Sequence, residues 1–285
     1  MKTYREYVQA FTDLLQTGKQ LPFGGVPPLQ LPPLPANAPR ALIFAPHPDD
    51  ECIIGGLPLR LRREAGYRVI NVAVTQGSKK SRQAERLVEL KAACDYIGFE
   101  LLQTAPNGLE GVNETTRNSQ SAAWADKVAV IRKIFEQTQP SVIFFPHELD
   151  WNTSHIGVHR LVVDALTQWK PSHRVETIET EFWGQMPTPN LMVESSEDDV
   201  TSLVIGTSFH IGEVQRNPYH LILPAWMIDN VRRGTEIVGG QGAASPGYNY
   251  GTLYRHRRWQ SGNWESPLKH RFLGKSESAA GLFAA

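Results

Sequence analysis

The segment from Ala45 to Glu51 (Ala-Pro-His-Pro-Asp-Asp-Glu) places one imidazole and three carboxylates side by side. His47 and Asp50 are three residues apart, so both side chains can reach one divalent metal ion from a tight turn. Asp49 lies between them and is left free to accept and donate protons. The spacing therefore predicts a metal site with a general acid or base beside it.

A second polar segment offers the third ligand that such a site needs. His155 follows a second apolar run, and Thr153 and Ser154 are expected to cap the helix that begins there. Two His and one carboxylate with an open fourth position are typical ligands of catalytic zinc. His159, on the same helix face, is expected to support a ligand from behind, with a plain core contact as the alternative. His147 precedes the turn, which favours a strand-end role over metal binding.

Both polar segments follow apolar runs, residues 41–44 and 141–146, that we interpret as buried strands of a parallel sheet. In open α/β sheets, ligands bind beyond the carboxyl ends of the strands. We therefore expect the two segments to meet at one edge of the sheet. Residues 68–75 form the next strand after a helix at 57–64, an order typical of a right-handed βαβ unit.

The rest of the pattern divides the chain into three parts. Residues 1–39 hold an N-terminal helix and a Pro-rich linker. Residues 40–172 form the core that carries the polar segments. Residues 173–285 are expected to be a C-terminal α+β extension that completes the same domain, with a flexible tail at 274–285.

Further elements follow from the apolar periodicity. Helices are expected at 3–17, 85–97, 122–137, 198–210 and 218–233, and strands at 99–103, 175–183 and 191–193. Residues 106–121 are polar and rich in Gly and Asn, which favours a loop that borders the site. An aromatic and basic cluster late in the chain is interpreted as surface, namely Tyr250, Arg255, His256 and Arg258.

Composition and charge exclude several classes of protein. Lys plus Arg and Asp plus Glu are both 29, so the formal net charge is zero and no basic surplus favours nucleic acid. Cys52 and Cys94 form no CxxC pair and indicate no disulfide framework. No apolar leader and no run long enough to span a bilayer is found, so a cytoplasmic protein is expected. No Gly-rich nucleotide loop is present.

The motif His47-Pro48-Asp49-Asp50-Glu51, followed by a distal turn that contains His155, resembles the PIG-L/LmbE-like de-N-acetylases. A helix with Arg86, then Glu89 and small residues, ending at Ile97-Gly98, fits the same family. The resemblance covers about residues 40–170. It implies a Rossmann-like, mostly parallel sheet with helices on both faces. It also implies a Zn²⁺ cofactor, with Fe²⁺ as an alternative, and removal of acetyl groups from N-acetylglucosamine-type sugars.

The resemblance also implies roles for single residues. His47, Asp50 and His155 would bind the metal, and Asp49 would be the general base. Glu51 and Asp150 would support these groups from behind. Arg86, by default a surface side chain paired with Glu89 or Asp95, would contact a substrate hydroxyl or phosphate.

The distal turn departs from the family at one position. The family commonly has His-Pro-Asp-His there, and this chain has Asn152-Thr153-Ser154-His155. Asn152 stands in the place of the first His. Its amide can donate a hydrogen bond to an oxyanion but cannot give up a proton. We therefore expect Asn152 to act as a neutral donor.

These observations predict a zinc-dependent hydrolase that removes the acetyl group from an N-acetylated sugar. The partner is then a small-molecule sugar, and a homo-oligomer stays open. One alternative is a metal-dependent hydrolase of another amide or an ester. The other is a non-catalytic sugar- or metabolite-binding protein that has kept the metal site. Asp49 argues against the last alternative, since a binding protein has no need of a carboxylate beside the ligands.

Overall fold

The computed structural model describes residues 3–265 and 268–283. Its strands are β1 (Arg40–Ala45), β2 (Arg68–Ala73), β3 (Glu100–Gln103), β4 (Val142–Pro146), β5 (Val175–Thr180), β6 (Leu191–Ser195), β7 (Tyr250–Gln260), β8 (Asn263–Trp264) and β9 (Arg271–Leu273). In this part of the chain they form one sheet with the order β3-β2-β1-β4-β5-β7-β6-β9, and β8 pairs with β7.

The helices are α1 (Tyr4–Gly18), α2 (Asp50–Ile53), α3 (Gly56–Glu64), α4 (Gln83–Ile97), α5 (Glu114–Ser119), α6 (Ser121–Thr138), α7 (Thr153–Gln168), α8 (Glu197–Ser208), α9 (Ile211–Arg216) and α10 (Leu223–Ile237). Short 3-10 turns lie at Lys80–Arg82, Tyr219–Leu221 and Ala279–Gly281. No described helix is long and apolar enough to cross a membrane.

The first five strands of the order, β3 to β5, pair in parallel. One face of the sheet packs against α2, α3, α4, α8 and α10, and the other against α6 and α7. The predicted fold class, a mostly parallel sheet covered by helices on both faces, is confirmed. Strand β2, which follows β1 in the chain, lies on one side of the β1–β4 pair, and β5, which follows β4, lies on the other side. The carboxyl ends of β1 and β4 therefore flank the switch point where ligands bind in such sheets.

The segment after Gly239 differs most from expectation, because it holds the eleven-residue strand β7 in the middle of the sheet. The predicted surface cluster is part of this strand. Arg255 pairs with Glu148 and Glu179, and buried His256 bonds Glu176 at 2.6 Å. Carboxylates of neighbouring elements pair with these polar side chains, so the apolar pattern that marks a buried strand is missing.

Residues 274–283, where we expected a flexible tail, contact the core. Ala279 and Leu282 are buried in the main core cluster, and the carboxylate of Glu64 accepts a hydrogen bond from the Ala279 backbone at 3.0 Å. Residues 284–285 lie outside the described part of the chain. The expected loop at 106–121 contains α5, which Asn113 caps by accepting from Thr116 N at 2.9 Å.

Candidate active site

Three side chains from the two predicted segments meet at the carboxyl ends of β1 and β4. His47 Nδ1 lies 3.2 Å from His155 Nε2, and Asp50 Oδ2 lies 3.6 Å from the first nitrogen and 3.5 Å from the second. Ligand atoms around a tetrahedral ion with bonds of about 2.0–2.1 Å are about 3.4 Å apart. The triangle therefore has the size that one small divalent cation needs.

The chemistry of the donors agrees with this size. Burial alone would raise the pKa of Asp50, but His155 and His47 outweigh it and lower the pKa, so the carboxylate stays ionised. Two imidazoles and one carboxylate with open positions suit Zn²⁺, and the same set is used by non-haem Fe²⁺. The three residues fit a metal of this class, and the donor set does not distinguish the two ions.

The turn after β1 positions Asp50 and turns Asp49 away from it. The backbone N–H of His47 donates to Asp50 Oδ2 at 2.8 Å. Asp49 has a φ of 113°, in the left-handed region that costs an L-residue about 1–3 kcal/mol. Glu51 Oε2 accepts from the Asp49 backbone at 3.0 Å, and its other oxygen lies 2.7 Å from His210 Nε2. Glu51 therefore links the turn to His210.

The second segment is held by the start of α7. Asn152, and not Thr153 or Ser154, is the N-cap, since its Oδ1 accepts from Ser154 N at 2.9 Å. Asp150 Oδ1 accepts from Asn152 N at 2.8 Å, and its Oδ2 lies 3.5 Å from His155 Nδ1. Asp150 thus lies beside the ring nitrogen that faces away from the triangle, where an outer carboxylate orients a ligand histidine.

Asp49 is buried beside the triangle, with 8% of its surface exposed. Burial, followed by the nearby charge of Asp50, raises the pKa of Asp49 to about 7. The hydroxyl of Tyr219 donates to Asp49 Oδ2, which leaves Oδ1 without this restraint. Tyr219 and His210 were not predicted, because they come from the C-terminal third and no local motif marks them.

Two of the other histidines lie elsewhere. The Nδ1 of His159 lies 2.9 Å from the carbonyl of Pro146 and 3.8 Å from Glu179. It forms no hydrogen bond or ion pair with the three ligands, a position that favours the plain core contact over support of a ligand. His147 is fully buried with Nε2 2.9 Å from the Gly184 carbonyl, in agreement with a strand-end role.

A cleft of about 570 Å³ opens at the triangle and is lined by Asp49 and Asn152. Its walls also carry three aromatic and four basic side chains: Trp151, Trp183, Tyr219, Lys79, Arg82, Arg86 and Arg216. Arg86 donates to the Pro48 carbonyl at 3.0 Å, and its ion partner is Glu213 at 3.7 Å rather than Glu89 or Asp95. The cleft is large and polar enough for a sugar-sized ligand.

Comparison with known proteins finds one matching family model. The model of the PIG-L family, described as GlcNAc-PI de-N-acetylase, matches residues 42–166. No curated protein sequence matches the chain.

Solved structures share the fold at low identity. N,N'-diacetylchitobiose deacetylase from Pyrococcus horikoshii has a TM-score of 0.55 at 16% identity, covering 92% of this chain and 94% of that chain. Teicoplanin deacetylase Orf2, in its zinc-inhibited form, has a TM-score of 0.55 at 16% identity, covering 78% and 98%. GalB, the 4-carboxy-2-hydroxymuconate hydratase of Pseudomonas putida KT2440, has a TM-score of 0.54 at 15% identity, covering 76% and 95%. The predicted resemblance is confirmed: residues 42–166 carry the PIG-L family pattern, on the fold of the LmbE-like deacetylases.

Proposed function

We propose that this protein is a metal-dependent hydrolase that removes the acetyl group from an N-acetylated sugar of the N-acetylglucosamine type. The observation that carries the proposal is the ligand triangle of His47, Asp50 and His155, with a spare buried carboxylate, Asp49, beside it. A binding protein has no use for that carboxylate, whereas hydrolysis of an amide needs a group that moves protons.

The three ligand residues would hold Zn²⁺, with Fe²⁺ as the alternative. When bound, the metal would act as a Lewis acid: it would polarise the acyl oxygen and lower the pKa of the attacking water to about 7. Asp49 takes the proton from the attacking water and passes it to the nitrogen of the leaving amine. Tyr219 holds one oxygen of Asp49, so the other oxygen is free to face the water.

Asn152 is proposed to donate to the acyl oxygen as negative charge develops on it. Its Oδ1 is engaged as the helix cap, so the NH₂ group is the part left for the cleft. This division of the amide agrees with a neutral donor at the position where the family commonly has His.

Asn152→Asp should separate the donor role from the cap, because aspartate also caps helices well but has no NH₂. We expect kcat to fall by about 10²–10³ while the melting temperature stays close to that of the wild type. Asn152→Ser, which also keeps the cap and adds a short hydroxyl donor, serves as the comparison. A fully active Asn152→Asp would show that the residue is only a cap.

The sugar is proposed to lie in the cleft between the exposed indole of Trp151 and the guanidinium of Arg86. Trp151 is 70% exposed, which is unusual for so large an apolar side chain without a ligand. Arg86 lines the same cleft. Its N–H groups that do not donate to the Pro48 carbonyl can donate hydrogen bonds to sugar hydroxyls.

Tyr219→Phe should lower kcat by about 10-fold to 100-fold, the cost of one hydrogen bond to a charged group. The phenyl ring keeps the packing, so metal content and KM should change little. Tyr96→Phe, which removes a tyrosine hydroxyl outside the cleft, is the matched control. Equal kinetics for the two variants would show that the Tyr219 hydroxyl does not position Asp49 for catalysis.

A screen of amine release tests the proposed function. Zinc-loaded protein is incubated with N-acetylglucosamine, its glycosides and its oligomers, and with simple esters and peptide-like amides in parallel. We expect amine and acetate in equal amounts from the N-acetyl sugars alone. Hydrolysis confined to the esters or other amides would favour the alternative hydrolase, and tight sugar binding without turnover would favour the binding protein.

A further inference from the structure

We propose that an apolar cavity beside the reaction centre holds the chain of an N-acyl group longer than acetyl. This inference rests on the proposed function and names the acyl part of its substrate. The cavity has a volume of about 220 Å³. Its apolar side chains come from α2, the segment after β5 and the start of α10: Ile53, Phe182, Trp183, Ile222, Leu223 and Trp226.

The cavity lies directly behind the residues of the reaction centre. Phe182 packs edge-to-face on the ring of the ligand His155, with 4.8 Å between ring centroids. Ile53 ends the short helix that begins with the ligand Asp50. Tyr219 lines the cavity, and its hydroxyl donates a hydrogen bond to the proposed base Asp49. The cavity therefore adjoins both the metal ligands and the general base.

The cavity and the sugar-sized cleft meet at one pair of side chains. Trp183 and Tyr219 line both spaces, and their rings stand edge-to-face with centroids 5.7 Å apart. The pair is thus the common boundary of the two spaces, and a substrate that reaches around it would place one part in each space. Since the reacting amide joins the sugar to the acyl group, the two parts are the sugar and the acyl chain.

The polarity of the two spaces decides which part lies where. The cleft carries Lys79, Arg82, Arg86 and Arg216, which offer hydrogen bonds to sugar hydroxyls. Apart from the indole N–H groups, the polar side chains that line the cavity are Gln185, Thr207, His220 and Tyr219. The hydroxyls of Thr207 and Tyr219 already donate to Leu203 and Asp49, and burying sugar hydroxyls without partners is costly. A hydrocarbon chain has no such cost there.

The cavity is not an ordinary packing defect of the core. Trp183 and Ile222 are 43% and 46% exposed, so large apolar side chains stand at its mouth. Covering such exposed apolar surface is favourable. A ligand chain that reaches from the reacting carbonyl would supply the missing contacts.

A series of N-acyl glucosamines, from acetyl through butanoyl and hexanoyl to octanoyl, tests the inference with zinc-loaded protein. We expect kcat/KM to rise by about fourfold per added methylene until the cavity is filled. Octyl N-acetylglucosaminide, which carries the same chain on the other side of the sugar, should show no such gain. A gain with the octyl glycoside alone would overturn the assignment, because the cavity would then hold the aglycone.

Two variants in the same part of the chain test whether the preference for longer acyl chains arises in this cavity. Ile222→Trp adds bulk at the cavity mouth and should lower the octanoyl-to-acetyl ratio of kcat/KM at least tenfold. Ile228→Trp lies on α10 outside the cavity with the same exposure, 46%, and should leave the ratio unchanged. Equal ratios in both variants would contradict the location.

Binding to metal-free protein separates this inference from the proposed function. Trp183 and Trp226 line the cavity, so N-octanoylglucosamine should change the tryptophan fluorescence at lower concentrations than N-acetylglucosamine. If acetyl sugars are hydrolysed but longer chains bring no gain in rate or binding, the inference fails and the proposed function stands. If nothing is hydrolysed, the proposed function fails; tighter octanoyl binding would still support the apolar-chain site, and equal binding would overturn it.

Discussion

His155→Ala should lose most of its metal and, with it, amide hydrolysis. The Nε2 of His155 is one corner of the ligand triangle, 3.2 Å from His47 Nδ1 and 3.5 Å from Asp50 Oδ2. Removing groups that only support ligands already costs about 10–100-fold in metal affinity, so loss of a ligand itself should cost more. Elemental analysis of the purified variant after dialysis measures the effect.

His159→Ala is the matched control for this experiment. His159 lies on the same helix, is also buried, and forms no hydrogen bond or ion pair with the three ligands. It should therefore keep one metal per chain, although its melting temperature falls because it leaves a cavity. Full metal retention in His155→Ala, or equal losses in both variants, would contradict the assignment of the ligands.

Asp49→Asn should keep the metal and lose about 10²–10⁴ in kcat, the usual value of a positioned general base. Asparagine keeps the size of the side chain and an oxygen that can accept from Tyr219. It also tolerates the positive φ of this turn, because Asn and Asp are enriched in the left-handed region. What it loses is the ability to take a proton from water.

The metal content of Asp49→Asn decides how a loss of rate is interpreted. A slow variant with full metal supports the proton-transfer role, whereas loss of metal would mean that Asp49 belongs to the coordination set. Asp95→Asn, on α4 and outside the cleft, should behave as the wild type. Near-normal turnover of Asp49→Asn would refute the role of the base.

The part of the site that the sequence predicted is local in the chain. His47, Asp49 and Asp50 occupy one turn, and β1 and β4 are apolar runs whose parallel pairing brings that turn to His155. Strand ends and short-range spacing can be recognised in the sequence because they depend on residues that are neighbours in the chain. The sequence left two roles open for His159: four residues of helix rise by about 6 Å, which brings its Nδ1 to the carbonyl of Pro146.

The part that was missed depends on distant segments. Tyr219 and His210 reach Asp49 and Glu51 across more than 150 residues, and the spacing of the C-terminal third carries no sign of these contacts. Strand β7 was missed because Arg255 carries a charge into a half-buried position where Glu179 pairs with it. The pairing of charges between strands is visible only when the strands are already placed.

Titrating metal into chelated protein, with amine release from an N-acetyl sugar as the readout, tests the central claim most directly. The claim is that one metal, held by His47, Asp50 and His155, is required for amide hydrolysis. We predict no turnover in the chelated protein, a linear rise in rate with added Zn²⁺ or Fe²⁺, and saturation at one equivalent per chain. Full turnover in the metal-free protein, or a rate that never responds to either metal, would contradict it.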